Sequence, residues 1–176
     1  MSLGTAADEN LRRRAAQIRL AVFDVDGVLT DGGLHYHPGG GESKRFHVHD
    51  GLGLKRLIGA GIGVAIITAR QSEVVAIRMA ELGISHVYQG ESDKLACLHG
   101  LCERLALTLD QVCYSGDDGP DLACMRAVGL ACTVADATDE ALSAANWVTR
   151  RNGGQGAARE ICEFLLSSRT DREKAQ

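Results

Sequence analysis

Residues 18–27, Ile-Arg-Leu-Ala-Val-Phe-Asp-Val-Asp-Gly, place a short apolar run directly before two aspartates and a glycine. The run over 18–23 has the length of a strand, and a nearly continuous apolar strand is typical of a parallel sheet that is covered on both faces. A carboxylate at the end of such a strand is held rigidly, and a second one two residues later can face the same pocket. Asp24 and Asp26 are therefore candidates for a nucleophile and a proton donor.

The rest of the chain alternates between strands and helices. Apolar runs of strand length recur at 64–68, 86–88, 112–115, 131–134 and 147–149. Helical periodicity lies between most of them, most clearly from Lys94 to Leu105 and over 74–82, where Gly83 is a predicted C-cap. Repeated strand–helix units predict an α/β fold, a Rossmann-like three-layer sandwich with a mainly parallel sheet.

Residues 31–49 break this alternation. They are rich in glycine, and Leu34 and Tyr36, then Phe46 and Val48, alternate with polar residues. This pattern predicts a β-hairpin whose turn contains residues 38–41. Because the segment follows the first strand, the hairpin is expected to stand over the carboxyl end of the sheet, where open parallel sheets bind ligands.

The length of 176 residues fits one domain. We predict an N-terminal tail and helix over 1–17, a single domain over 18–168 and a flexible C-terminal tail over 169–176. The last helix is predicted at 157–166, after the glycine-rich segment 153–156, which by itself is equally consistent with a plain turn. The hairpin is the only insertion, so no large cap domain is expected.

Composition excludes several classes of protein. A net charge of -4 and a pI near 5.8 argue against a nucleic-acid partner. No stretch approaches the ~20 apolar residues of a membrane span, and no signal peptide is expected. Six cysteines without a CxxC pair predict free thiols in a reducing cytoplasm. An acidic protein that binds phosphate must supply positive charge locally.

A second acidic cluster, Asp117, Asp118 and Asp121, follows the predicted strand 112–115. Carboxylates this close repel one another unless a cation neutralises them, and oxygen ligands favour Mg²⁺. Taken alone, the cluster is also consistent with a helix N-cap and surface charge.

Two further segments can contribute to a phosphate site. Thr68, Ala69 and Arg70 lie at a strand-to-helix junction, where a hydroxyl group and backbone N–H groups can bind phosphoryl oxygens. Lys94 stands at the start of its helix, where it can supply a compact positive charge.

In this order the motifs resemble those of the haloacid dehalogenase superfamily of phosphohydrolases. The matching positions are Asp24-Val25-Asp26-Gly27, Thr68, Lys94 and Gly116-Asp117-Asp118. The resemblance implies that Asp24 attacks phosphorus and that Asp26 protonates the leaving oxygen and then activates water. It also implies that Thr68 and Lys94 hold the phosphoryl oxygens.

The same resemblance implies a magnesium site. Its ligands would be Asp24, the backbone carbonyl of Asp26, and Asp117. Asp118 and Asp121 would support the site, either directly, through water or behind the ligands.

A finer resemblance is to the 3-deoxy-D-manno-octulosonate 8-phosphate phosphatases. It is carried by the strings 23–32, 50–54, 68–70, 82–84, 88–90, 116–118 and 153–160. It implies an eight-carbon sugar-acid phosphate as substrate, a role in lipopolysaccharide precursor synthesis, and a homotetramer whose glycine-rich C-terminal segment can close a neighbouring site. Arg70 and Arg78 would meet the anionic sugar acid. Ala69 and Ser115 depart from the family pattern, which usually has glycine and a bulkier residue there.

Two alternatives remain open. One is the same chemistry on a nine-carbon sialic-type sugar 9-phosphate. The other is a non-catalytic oligomerisation module that keeps the fold, which the joint presence of Asp24, Asp26, Lys94 and Asp117 disfavours.

Overall fold

The computed structural model describes residues 6–174, and these residues form eight strands and seven α-helices. The strands are β1 (Leu20–Phe23), β2 (His35–Tyr36), β3 (Glu42–Ser43), β4 (Gly63–Thr68), β5 (His86–Gln89), β6 (Val112–Ser115), β7 (Leu130–Thr133) and β8 (Trp147–Val148). The helices are α1 (Ala6–Ala15), α2 (Val48–Gly59), α3 (Glu73–Leu82), α4 (Lys94–Leu105), α5 (Leu122–Ala127), α6 (Asp139–Ala144) and α7 (Ala157–Lys174).

Six strands form one parallel sheet in the order β5-β4-β1-β6-β7-β8. The chain first moves outward from β1 to β4 and β5, and then returns to β6 on the other side of β1. The direction of winding therefore reverses at β1. The carboxyl ends of β1, β4 and β6 meet at this switch point, which is the usual place for a ligand crevice in a doubly wound sheet.

The sheet separates two apolar cores, so the predicted three-layer sandwich is confirmed. Phe23 contributes to the core beneath α1, α2, α3 and α7, and Val22 contributes to the core beneath α4, α5 and α6. Both side chains are fully buried, as expected for a central strand without polar alternation. This double cover fixes the position of the residues that follow β1.

The hairpin exists, but its strands differ from those predicted. His35 and Tyr36 pair with Ser43 and Glu42, so each strand has only two residues. Phe46 lies outside the strands and Val48 begins α2. The physical reason is a helix cap: the Nδ1 atom of His47 accepts a hydrogen bond from the backbone N–H of His49 at 3.2 Å, which starts the helix there.

Both terminal helices pack on the domain. Leu11 and Ala15 of α1 contact the core under α7, so the helix within the segment 1–17 packs on the domain. Helix α7 continues to Lys174, beyond the predicted end at Leu166. Residues 1–5 of the predicted N-terminal tail and 175–176 of the predicted C-terminal tail lie outside the described residues.

Two buried hydroxyl groups near the ends of β6 and β7 lead to opposite predictions for stability. The Ser115 hydroxyl has no hydrogen-bond partner among the described residues, whereas the Thr133 hydroxyl donates to the carbonyl of Gly116 at 2.7 Å. We expect Ser115→Ala to raise the free energy of unfolding by about 0.5–1 kcal/mol and Thr133→Val to lower it by about 1–2 kcal/mol. Urea denaturation of both variants measures the two effects. A loss of stability in Ser115→Ala would show that this hydroxyl is satisfied in solution.

Candidate active site

Asp24 lies at the centre of the switch point. Its backbone N–H donates to the carbonyl of Ser115 at 2.9 Å, so the β1–β6 ladder continues to this residue. The residue is only 7 % exposed. Its Oδ2 atom lies 3.0 Å from the Nζ atom of Lys94, while Oδ1 has no hydrogen-bond partner among the described residues. One carboxylate oxygen is thus held in place and the other is available to a ligand.

Lys94 is the first residue of α4, and Asp93 caps that helix by accepting from the N–H of Ala96 at 3.0 Å. The cap directs the lysine into the site, where it is 3 % exposed. Burial alone lowers the pKa of Lys94, but the charges of Asp24 and Asp121 outweigh burial and raise it. The ammonium group therefore stays charged and provides the local positive charge that an acidic chain needs.

Asp121 organises the second acidic loop. Its Oδ1 atom accepts from Lys94 at 2.7 Å and from the Tyr114 hydroxyl at 2.8 Å. Its Oδ2 atom accepts from the backbone N–H groups of Asp117 at 3.1 Å and Asp118 at 3.4 Å. Burial, and then the charge of Asp121, raise the pKa of Tyr114 far above its ordinary value, so this hydroxyl remains a donor. With four donors on two oxygens, Asp121 is an anchor rather than a free ligand.

The arrangement of charges fits a divalent cation. Oxygens of Asp24, Asp117 and Asp121 lie within 4.8 Å of one another. Three carboxylates beside the single ammonium group of Lys94 leave two unbalanced negative charges, which a Mg²⁺ ion would neutralise. The unpartnered Oδ1 of Asp24 and the carboxylate of Asp117 are hard oxygen ligands of the kind that Mg²⁺ prefers.

The pKa values of Asp24 and Asp117 are raised first by burial and then by the neighbouring carboxylates. Burial, and then the charge of Asp121, raise the pKa of Asp24 to about 6, against the opposing effect of Lys94. Burial, and then the charge of Asp24, raise the pKa of Asp117 to about 7. The glycine of the first motif makes this closeness possible, because a Cβ atom at Gly27 would overlap the Asp117 carboxylate. Without a cation, the folded protein therefore bears a repulsive cluster.

The other predicted members of this site lie around its rim. Asp118 is exposed, and its Oδ1 atom accepts from the N–H of Gly119 at 2.7 Å, so it caps the turn Gly119–Asp121. Thr68 is buried at the end of β4, and Ala69 follows it at the surface. The structure thus brings Thr68 to the same sheet edge as Asp24, while Asp118 shapes the acidic loop from outside.

A second ionic network, contributed largely by the hairpin, lies over Asp26. Lys44 contacts the Oδ1 atom of Asp26, and its Nζ atom lies 3.9 Å from Glu42. Arg70 donates to the Tyr36 hydroxyl at 3.0 Å, and its guanidinium lies 3.6 Å from Asp26 and 3.5 Å from Glu42. Two cations face two carboxylates, so this network is balanced in charge, unlike the cluster below it.

Arg78 occupies a different place from Arg70. It pairs with Glu81 at 2.8 Å and lines a small pocket with Asp50 and Gly51, between α2 and α3. No contact between Arg78 and the acidic cluster is found in the part of the chain that the structure describes. Its predicted role toward the sugar acid stays a prediction.

The glycine-rich segment 153–156 braces the loop that carries the two aspartates. The N–H of Gly154 donates to the carbonyl of Val28 at 3.0 Å, and a Cβ atom at Gly153 would overlap the carbonyl oxygen of Gly27. Buried Asp50 fixes the other end, because it accepts from the N–H groups of Gly156 at 3.3 Å and Arg159 at 2.7 Å. Only glycine permits this approach, so the segment is more than a plain turn.

Three groups near the site were not predicted from the sequence. They are Lys44, Glu42 and the Tyr114 hydroxyl. Tyr114 could have been found, because a tyrosine inside a buried strand needs a partner for its hydroxyl. Lys44 and Glu42 belong to the predicted hairpin, and only the expectation that it covers the sheet edge could have pointed to them.

Comparisons with known proteins identify the family of the chain. A family model for haloacid dehalogenase-like hydrolases matches residues 72–161. The 3-deoxy-D-manno-octulosonate 8-phosphate phosphatase of Yersinia pestis is 45% identical over 172 residues, which cover 98% of this chain and 91% of the relative. The chain belongs to this family of haloacid dehalogenase-like hydrolases.

Solved structures of family members share the fold closely. The Yersinia pestis phosphatase has a TM-score of 0.91 at 45% identity and covers 94% of this chain, which in turn covers 89% of it. The 3-deoxy-D-manno-octulosonate 8-phosphate phosphatase of Moraxella catarrhalis was solved with magnesium, phosphate and the free sugar acid (KDO). It also has a TM-score of 0.91, at 41% identity, and the match covers 94% of this chain and 95% of that one. These relatives are named as phosphatases, and the predicted family and fold class are confirmed.

Proposed function

We propose that this chain is a magnesium-dependent phosphatase that hydrolyses 3-deoxy-D-manno-octulosonate 8-phosphate to the free sugar acid and phosphate, a step in lipopolysaccharide precursor synthesis. The observation that carries the chemistry is the meeting of Asp24, Asp117 and Asp121 with Lys94 at the switch point, where three carboxylates and one ammonium group leave two negative charges uncompensated. The substrate is proposed from the close relatives, which share almost the whole length of the chain.

Asp24 is the nucleophile. Lys94 holds its Oδ2 atom at 3.0 Å, which fixes the direction of the carboxylate. Asp24 attacks phosphorus, the bond to the sugar oxygen breaks, and Asp26 gives a proton to that oxygen. Lys94 and the Thr68 hydroxyl hold the phosphoryl oxygens, together with the backbone N–H of Ala69. This positioning and charge neutralisation account for most of the rate enhancement.

The second step uses the same residues. Asp26, now a carboxylate, takes a proton from water, and that water attacks the phosphorus of the aspartyl phosphate. Asp24 is released with both oxygens, and inorganic phosphate forms. Asp24, Asp117 and the backbone carbonyl of Asp26 would hold Mg²⁺, with Asp121 as the anchor behind them. When bound, the ion supplies positive charge that offsets the carboxylates and the phosphoryl oxygens.

Arg70 and Arg78 are proposed to recognise the sugar acid. Arg70 fits this role best, since its guanidinium lies over Asp26 beside the exposed Tyr36. A carboxylate on the substrate could form a bidentate hydrogen-bonded pair with this guanidinium.

A phosphate-release assay tests the substrate. The purified protein is given the eight-carbon 8-phosphate and a nine-carbon sialic-type 9-phosphate, each with Mg²⁺ and with excess EDTA. We expect kcat/KM to be higher for the eight-carbon substrate, and activity to disappear in EDTA and return with Mg²⁺. Equal or reversed preference would replace the proposed substrate, while no turnover of either compound would support a non-catalytic module.

We also propose that the protein is a cytoplasmic homotetramer. Apolar side chains are exposed on the hairpin and on α2 and α3, including Tyr36 at 66 % exposure, Val48 and Ile77. Exposed apolar residues of this kind favour a protein interface. The described cysteines are all free, which suits a reducing compartment. None of the described helices has the length and apolar character that a membrane span requires. Light scattering after size exclusion tests the assembly, and a monomer would refute it.

A further inference from the structure

We propose that Lys44 is a positioning residue that orients the carboxyl group of Asp26 for proton transfer. This inference rests on the proposed function, in which Asp26 exchanges a proton with the leaving oxygen and then with water. It gives the hairpin a role in the active site of its own subunit.

The burial of Lys44 is unusual for a lysine. Its side chain is 1 % exposed, although it lies on a hairpin with two-residue strands. Burying an ammonium group costs several kcal/mol unless anions compensate for the lost water. The compensating groups are Asp26, in direct contact, and Glu42 at 3.9 Å. Arg45, the next residue, has a 67 % exposed side chain that pairs with Asp31. The hairpin therefore directs one cation inward, onto Asp26.

The two oxygens of Asp26 have different surroundings. Lys44 contacts Oδ1, while Oδ2 is buried and has no hydrogen-bond partner among the described residues. The Nε atom of Arg70 lies 3.6 Å from Oδ2, which is too long for a hydrogen bond. Since Oδ1 is occupied, Oδ2 is the atom that carries the proton to the leaving oxygen.

Lys44 can control this geometry because the last torsion of an aspartate is soft. That torsion has a broad, roughly two-fold preference, so packing alone does not set the plane of the carboxyl group. A contact on Oδ1 fixes the plane and points Oδ2 in one direction. An error of about 1 Å in such an alignment can cost on the order of 100-fold in rate.

The test uses two substrates with different needs for a proton donor. A sugar alkoxide leaves slowly without protonation, whereas p-nitrophenolate leaves readily as an anion. In Lys44→Gln we expect kcat/KM to fall about 30-fold for the sugar 8-phosphate and less than about 3-fold for p-nitrophenyl phosphate. The ratio kcat/KM is the right quantity because it covers only the steps up to departure of the leaving group. Lys44→Met, with a similar apolar stem, should show the same selective loss.

A double-mutant cycle separates positioning from substrate binding. If Lys44 acts through Asp26, then Lys44→Gln should have no further effect on the sugar phosphate in an Asp26→Asn background. Arg45→Gln is the matched control and should leave both substrates unchanged. Equal losses on the two substrates, no loss on either, or fold-losses that multiply in the double variant would overturn the assignment. A wild-type protein inactive on both substrates would instead refute the proposed function.

Discussion

Asp24→Asn is expected to lower kcat for phosphate release by about 10⁴-fold or more. The amide keeps the shape of the side chain but is a very poor nucleophile, so no aspartyl phosphate can form. The fold should survive, because Asp24 is bonded to β6 through its backbone and the substitution removes one charge from a repulsive cluster. A single-turnover assay with an acid quench measures both the rate and the covalent phosphate.

Asp110→Asn is the matched control for this substitution. Asp110 is exposed and comes just before β6, at the opposite edge of the sheet from Asp24. Its kcat should stay within about 3-fold of the wild type. The assignment of Asp24 fails if Asp24→Asn retains a tenth of the wild-type rate, or if a phosphorylated protein still accumulates in that variant.

The sequence was most informative where function follows directly from chain position. Asp24, Thr68 and Asp117 come at or just after the ends of β1, β4 and β6, and parallel strands bring their carboxyl ends to one edge. Their convergence follows once the three apolar runs are recognised as strands. A short apolar run alone does not distinguish a strand from a buried helix, and the short length of these runs, each followed by a helical pattern, identified them as strands.

The hairpin was less predictable from the sequence than the sheet. A period-two apolar pattern placed Phe46 and Val48 on a strand, but the cap at His47 ends the hairpin earlier. The burial of Lys44 depends on a contact with Asp26, a residue that precedes the hairpin, and no local pattern indicates that contact. The role of Asp121 has the same origin, because spacing alone cannot distinguish an anchor with four donors from a metal ligand.

Asp117→Asn is expected to make the metal-free protein more stable and the magnesium-loaded protein less active. The pKa values of Asp24 and Asp117 lie at about 6 and about 7, above their ordinary value of 3.8. The metal-free folded state thus binds protons more tightly than the unfolded chain. The contribution of these two carboxyl groups to the free energy of unfolding is most favourable below about pH 4. It falls as the pH rises through 6 and 7 and stays low above that. At pH 8 in EDTA, removing one carboxylate should therefore raise the free energy of unfolding by about 1–3 kcal/mol.

Magnesium should reverse the order of stability of the wild type and Asp117→Asn. In the wild type the ion supplies the missing charge and stabilises the fold by mass action, so its melting temperature should rise by several degrees at saturating Mg²⁺. Asp117→Asn should show little or no such rise and should lose at least about 100-fold in kcat. Thermal melts at pH 8, with EDTA and with a series of Mg²⁺ concentrations, measure both effects.

Glu140→Gln removes the same charge from an exposed position on α6, and its stability should change by less than about 0.5 kcal/mol with or without Mg²⁺. This control separates the local cluster from the net charge of the chain. A destabilised Asp117→Asn in EDTA would mean that the carboxylate is already compensated without metal. An unchanged response to Mg²⁺ would mean that the ion binds elsewhere. Opposite signs with and without the ion would instead mean that the fold holds these carboxylates together at a cost that metal binding offsets.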